Sequence, residues 1–273
     1  MVGERAGPEV IEKIRKEIGA DKDVLSQYLG YVRLLIKGEL GRSYYTNREV
    51  FDDLLLKFPN TLKLALGAMI IAIPFGLFFG LVSALKKDTF TDRLISSVSV
   101  TGLSVPVFWS GLLIMLLFSL RLRLLPPSGT GDIRFLILPA ITLSLPSLAT
   151  LARVTRTTVI EILHMPFIVT ARAKGINEMK INLIHLLKNA LIPIVTVIGL
   201  DVGSYLNGAV LTETIFGWDG IGRFTMEGIM KRDYPVIMGC VLFGTIIFVI
   251  VNLIVDIAYH YLDPRIRLHE NSR

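Results

Sequence analysis

Charge and cysteine are both scarce in this chain. Of its 273 residues, 19% are charged, against about a quarter in an ordinary soluble domain. The single cysteine, Cys240, excludes a disulfide within the chain and a cysteine metal cluster. The four histidines (His164, His185, His260 and His269) have no metal-ligand spacing, and HExxH is missing. No GxxxxGK(S/T) phosphate loop occurs, so nucleotide hydrolysis by that route is excluded.

What the chain does have is apolar length. Hydrophobic residues make up 52%, and the mean hydropathy is +0.59. Lys63 and Lys86 bracket 22 uncharged residues, Arg93 and Arg121 bracket 27, and Arg134 and Arg153 bracket 18. A helix crosses the hydrocarbon core with roughly 20 apolar residues, so these runs predict three spans. A fourth runs from about Ala190 to Thr212 and contains Asp201. A fifth, Tyr234 to about Tyr261, contains Asp256 and Cys240. The runs do not alternate as barrel strands do, so the chain is all-α and polytopic, with five transmembrane helices.

Basic residues orient these spans. The segment Arg153 to Asn189 holds six Lys/Arg against Glu161 and Glu178. The turn at Lys86, Lys87 and Arg93 and the tail at Arg265, Arg267 and Arg273 are also basic. Alternation puts all three on one side, and the positive-inside rule makes it cytoplasmic, with the C-terminus. The +6 net charge therefore serves topology and is not a nucleic-acid signature. Residues 1–61, with ten acidic and ten basic residues, fall outside as an amphipathic segment. Residues 62–273 form the membrane domain. Nothing in the chain carries that polar segment across, so a further span is expected upstream of Met1, the alternative being a five-span protein.

The 153–189 loop is not shaped like a linker. A helix continues past Arg153 and Arg156 until Pro166, which suits the first turn of a new helix. Gly175 fits the position just past that helix, where a left-handed residue ends it. Asn177 and Glu178 can cap a third, amphipathic helix. Ala171, Ala173 and Gly175 offer a surface of small residues. Docking to a protein partner and lying on lipid head groups both remain open from these features.

Enzymatic features are few. "FWSGL" at 108–112 carries Phe108 where an intramembrane serine protease motif needs glycine. Asp201 is costly in lipid and either lines an aqueous path or pairs with a neighbouring helix. Ser104, Trp109, Tyr205 and Asn207 are further polar or amphipathic groups that either face such a path or bond between helices.

"TARAKG", nine residues, then "HLLKN" and a proline four residues after Asn189 resemble the EAA-type coupling loop of inner-membrane ABC transporter permeases. The dipeptide/oligopeptide/nickel type is the narrower match. "YLGYVRLLIKGELGRSY", "ILPAITLSLPSLATLARVTRTTVIEIL", "GAVLTETIFGWDGIGR" and "VNLIVDIAYHYLDPRIR" extend the likeness over nearly the whole chain. Val169 and Thr170 replace the motif's Glu-Ala, His185 stands where Ile is frequent, and Asp219 replaces a usual proline. The family's usual first span is not in this sequence.

This resemblance implies a MetI-like permease bundle, not an enzyme. The chain would form half of a translocation pathway for di- or oligopeptides, with nickel or oligosaccharides as alternatives. A secondary carrier would show more intramembrane ionisable residues. The implied partners are a homologous second permease, two ATPase subunits, an extracytoplasmic solute-binding protein and membrane lipid, with no nucleic acid. ATP and magnesium would sit on the ATPase subunits, and this chain would bind no cofactor. Thr170, Ala171, Arg172, Ala173, Lys174, Gly175, His185 and Asn189 would couple to the ATPase.

Overall fold

The computed structural model describes residues 23–177 and 186–262. His185, Glu178 and the start of the third loop helix lie outside the described residues. Ten α-helices are described: α1 (Val24–Ile36), α2 (Val50–Leu85), α3 (Phe90–Ser104), α4 (Val107–Met115), α5 (Ile133–Leu163), α6 (Pro166–Ala173), α7 (Leu187–Leu206), α8 (Val210–Ile215), α9 (Ile221–Lys231) and α10 (Tyr234–Leu262). Four of them (α2, α5, α7 and α10) contain stretches long and apolar enough to cross a membrane.

The run between Arg93 and Arg121 departs from the straight span expected of it. It breaks at Val105–Pro106 into α3 and α4, which meet at a bend of 100°. Pro106 cannot donate a helical hydrogen bond, and the residue before a proline is pushed toward extended backbone. Val105 obeys, at φ −81° and ψ 126°. Counted as one bent span, the pair brings the total to five. Beyond α4 the helix widens to π geometry over Leu116–Arg121.

Two further boundaries differ from the sequence expectation. α2 begins at Val50, well before Lys63, so the first span grows out of the N-terminal segment as one helix. The fourth run ends at Leu206 instead of Thr212. Gly208 turns the chain there at φ 110°, a conformation glycine tolerates. A Cβ on it would lie 2.8 Å from the Cα of Gly222, so the turn rests on the start of α9.

α5 is the central helix. α2 packs against it through Gly76 and Gly80, where an added Cβ would come 2.7 Å from Leu151 Cβ and 2.5 Å from Thr155 Cβ. Small residues allow backbones to approach this closely in membrane bundles. α3 and α4 meet another side of α5 at Ala149 and Thr142. α6 folds back onto the lower bundle. Its Ile168 and Ala171 join Val159 and Ile162 of α5 and Leu186, Ala190 and Ile194 at the start of α7 in one buried cluster. At the opposite end, Val50, Leu54, Ile221, Val236 and Cys240 form a second core between α2, α9 and α10.

Candidate functional site

α6 is built by local chemistry at both ends. Met165 is extended, Pro166 occupies the first helical turn, and the short helix follows. Its far end is a Schellman motif: Ile176 N–H donates to Ala171 C=O at 3.2 Å, and Gly175 N–H to Arg172 C=O at 2.9 Å. Gly175 sits at φ 73°, in the left-handed region. Ile168 and Ala171 face the bundle, while Phe167, Val169, Thr170, Arg172, Ala173, Lys174 and Gly175 are exposed. Ala171, grouped with the contact residues from sequence, is thus an anchor of α6 and not part of its outer face. Asn189 is exposed one helix later, near the start of α7.

The lower end of the bundle is held by an ion pair that sequence reasoning missed. Arg156 of α5 donates from Nε and Nη2 to the two carboxylate oxygens of Asp92 at 2.6 and 2.8 Å. Ser83 of α2 donates to Asp92 at 2.5 Å, and the Asp88 N–H at 2.9 Å. Ser96 adds a longer contact at 3.3 Å. One carboxylate therefore joins α2, the following turn, α3 and α5. A signal existed: Thr89 followed by Asp92 has the spacing of a capping box, and Thr89 accepts from the Asp92 N–H.

Two of the polar residues flagged in the spans come together inside the bundle. Tyr205 OH lies 2.6 Å from Ser147 Oγ and donates to Leu143 C=O at 2.9 Å. Asp201 is one helical turn away on α7, and its Oδ2 is buried without a hydrogen-bond partner. Ser147, on α5, gave no sequence signal. Ser104 and Trp109 lie apart from this group, flanking the α3–α4 break. Ser104 donates back to Val100 C=O at 2.9 Å, and Trp109 is half exposed. Asn207 is exposed at the end of α7 and abuts Gly244 of α10.

The other end of the bundle is closed by α8 and α9. Glu213 is completely buried there. It accepts from Thr61 Oγ1 at 2.9 Å and from the Arg223 N–H at 3.0 Å, so its charge faces the N-terminus of α9, where the helix dipole favours it. Burial nonetheless pushes the Glu213 carboxyl up from the ordinary glutamate value. Thr61 also accepts from the Ile221 N–H at 2.8 Å. Asp219 has a partner on α2: Lys57 reaches it at 2.5 Å. Trp218 donates to Asn60 C=O, and Asn60 to Asp219 C=O, both at 2.8 Å. Farther out, Asp233 accepts from Ser43 Oγ at 2.6 Å and from the Tyr44 N–H at 3.2 Å, fastening the segment before α2 to α10.

No group of three or more His, Cys, Asp or Glu able to hold a metal occurs among the described residues. The arrangement is a scaffold with an exposed short helix at one end and a rigid cap at the other. Residues 59–268 match the family model described as the binding-protein-dependent transport system inner membrane component. The chain belongs to that family. This permease is 41% identical to the di/tripeptide transport system permease DppB of Pseudomonas aeruginosa, over 98% of this chain and 88% of that protein. It is 38% identical to the dipeptide transport system permease DppB of Escherichia coli, with the same coverage. The glutathione transport system permease GsiC of Escherichia coli is 36% identical, over 98% of this chain and 87% of that protein. Among solved structures, the inward-facing MetNI methionine ABC transporter in two crystal forms aligns at TM-scores of 0.62 and 0.64. Each alignment covers 77% of this chain and 96% of that one, at 15% identity. The permease is thus a multi-pass inner-membrane protein of MetI-like fold, and a transport subunit, not an enzyme.

Proposed function

We propose that this permease forms half of the pathway of an ATP-driven importer of di- or oligopeptides. It would pair with a homologous permease, dock two cytoplasmic ATPase subunits, and receive solute from an extracytoplasmic binding protein. The observation that carries the substrate class is near-full-length identity of 36–41% to permeases named for dipeptide, di/tripeptide and glutathione transport. The α6 end and the C-terminus would face the cytoplasm, in line with the basic residues gathered there.

In this proposal the exposed face of α6, with Thr170, Arg172, Ala173, Lys174 and Gly175, meets the ATPase. Its Pro166 start, its capped C-terminal end and its anchors Ile168 and Ala171 favour transmission, because displacement of α6 carries α5 and α7 with it. His185 and Asn189 would flank the same contact. ATP would drive the cycle through its differential affinity for two states of the assembly. Asp201 and Tyr205 would line the path, with Ser104, Trp109 and Asn207 nearer its edges. A carboxylate inside the bundle with one oxygen, Asp201 Oδ2, left without a partner suits a peptide ammonium group in passage.

The test is uptake of a labelled dipeptide by cells whose own peptide permeases are deleted. Expressing this permease with its partner subunits should restore uptake. Excess unlabelled dipeptide should abolish it, and nickel or an oligosaccharide should not. Competition by glutathione stronger than by dipeptide would move the substrate to a tripeptide. Assembled subunits without peptide uptake would refute the proposal.

A further inference from the structure

A cleft of 270 Å³ opens between α3 and α5 at the α6 end of the bundle. Arg156 borders it, but that charge is already balanced by Asp92, whose oxygens accept five hydrogen bonds. Arg153 also lines the cleft. It lies three residues before Arg156 on α5, about 4.5 Å along the helix away from the α6 end, is exposed, and no carboxylate among the described residues pairs with it. An unneutralised guanidinium exposed at the boundary of a span sits at head-group level, where it attracts anionic lipid.

The other polar groups of the cleft point the same way. Ser99 is 7% exposed, lines the cleft, and its hydroxyl has no hydrogen-bond partner among the described residues. Arg156 has Nη1 left over after binding Asp92. The groups left free are therefore hydrogen-bond donors and the uncompensated charge is positive, which is the requirement of an oxyanion. Ile95, Val100 and Ala152 make the remaining wall apolar. A free inorganic ion gains nothing from such a wall, whereas an acyl chain does.

We infer that this cleft binds the phosphate head of an anionic phospholipid, with Arg153 and Ser99 as its ligands and Val100 beside its acyl chain. The site is separate from the exposed face of α6 and from the Asp201–Tyr205 group, so it stands whether or not the transport proposal does.

Native mass spectrometry of the full chain, isolated from membranes with any subunits that accompany it, tests this. Phosphatidylglycerol and phosphatidylcholine are added in equal amounts. The wild type should retain one phosphatidylglycerol with about fivefold preference, the scale of one basic residue near an anionic surface. Arg153→Gln should erase the preference, and Ser99→Leu, which fills the cleft, should lower retention of both lipids. Arg93→Gln, a basic residue of α3 outside the cleft, should leave the preference intact. Equal retention of the two lipids by the wild type, or an unchanged preference in Arg153→Gln, would overturn the assignment. Displacement of the lipid by millimolar inorganic phosphate would overturn it too, by making free phosphate the ligand.

Discussion

Substitution of Gly175 isolates the C-terminal cap of α6 from everything else in the bundle. A Cβ at this position meets nothing within 4 Å, so no side chain needs to move. The whole penalty is conformational, because φ is 73°. Left-handed backbone costs an L-residue about 1–2 kcal/mol, with alanine near the lower end and a β-branched valine at the upper. Asparagine, which tolerates this region, falls below alanine. At 1.4 kcal/mol per tenfold, valine shifts the balance from closed to open cap by roughly thirtyfold. Ile168 and Ala171 stay buried, so the bundle itself should fold. The assay is twofold: co-purification of ATPase subunits with the tagged permease, and dipeptide uptake. Both should fall in the order Gly, Asn, Ala, Val. Wild-type assembly and uptake in Gly175→Val would refute the role of the cap, and an equal loss in Asn and Val would refute its conformational origin.

Three further outcomes are expected. Gly80→Ala pushes a Cβ to 2.6 Å from Ala152 C=O and should cost about 1–3 kcal/mol, lowering the melting temperature, while Gly30→Ala, with open space around it, should raise stability by about 0.5–1 kcal/mol. Arg156→Gln strands the buried Asp92 and should destabilise by about 3–5 kcal/mol. The double change Asp92→Leu with Arg156→Met should recover most of that loss in the same unfolding measurement, and a double variant no better than the single would argue against the pair. Because burial raises the Glu213 pKa, its contribution to stability is full below the ordinary value of 4.5 and is lost as pH rises through the raised folded value. Hydrogen exchange of α9 amides, corrected for the intrinsic pH dependence of exchange, should therefore show greater protection in mild acid, and Glu213→Gln should flatten that profile.

Features set by neighbours along the chain were legible in the sequence. Uncharged run length located the spans, since lipid imposes it residue by residue. Pro166 and Gly175 located the ends of α6, since each acts on its own backbone. The bend at Val105–Pro106 carried a signal in Pro106, but run length alone reads through it. Glu213 and Thr61 were not legible: they are 152 residues apart, and neither type is normally buried without a partner. Ser147 was hidden for the same reason, being one of many serines until Tyr205 is brought to it. Ala171 shows the limit of composition. A small residue suits a partner's approach and a tight core equally, and only the packing of α6 against α5 and α7 decides.

The contact of Gly76 and Gly80 with Leu151 and Thr155 also bears on how the protein is made. The two surfaces are 75 residues apart in the chain, and α3 and α4 lie between them. As the chain emerges from the ribosome, α2 must enter the bilayer with its glycine face turned toward lipid, and wait there until α5 follows. Helix insertion and helix association are therefore separate events for this pair, and the second cannot begin before residue 155 has been synthesised. A bulky side chain at Gly80 would leave insertion intact and strand the protein between the two, as a set of correctly threaded helices that membrane proteases can recognise.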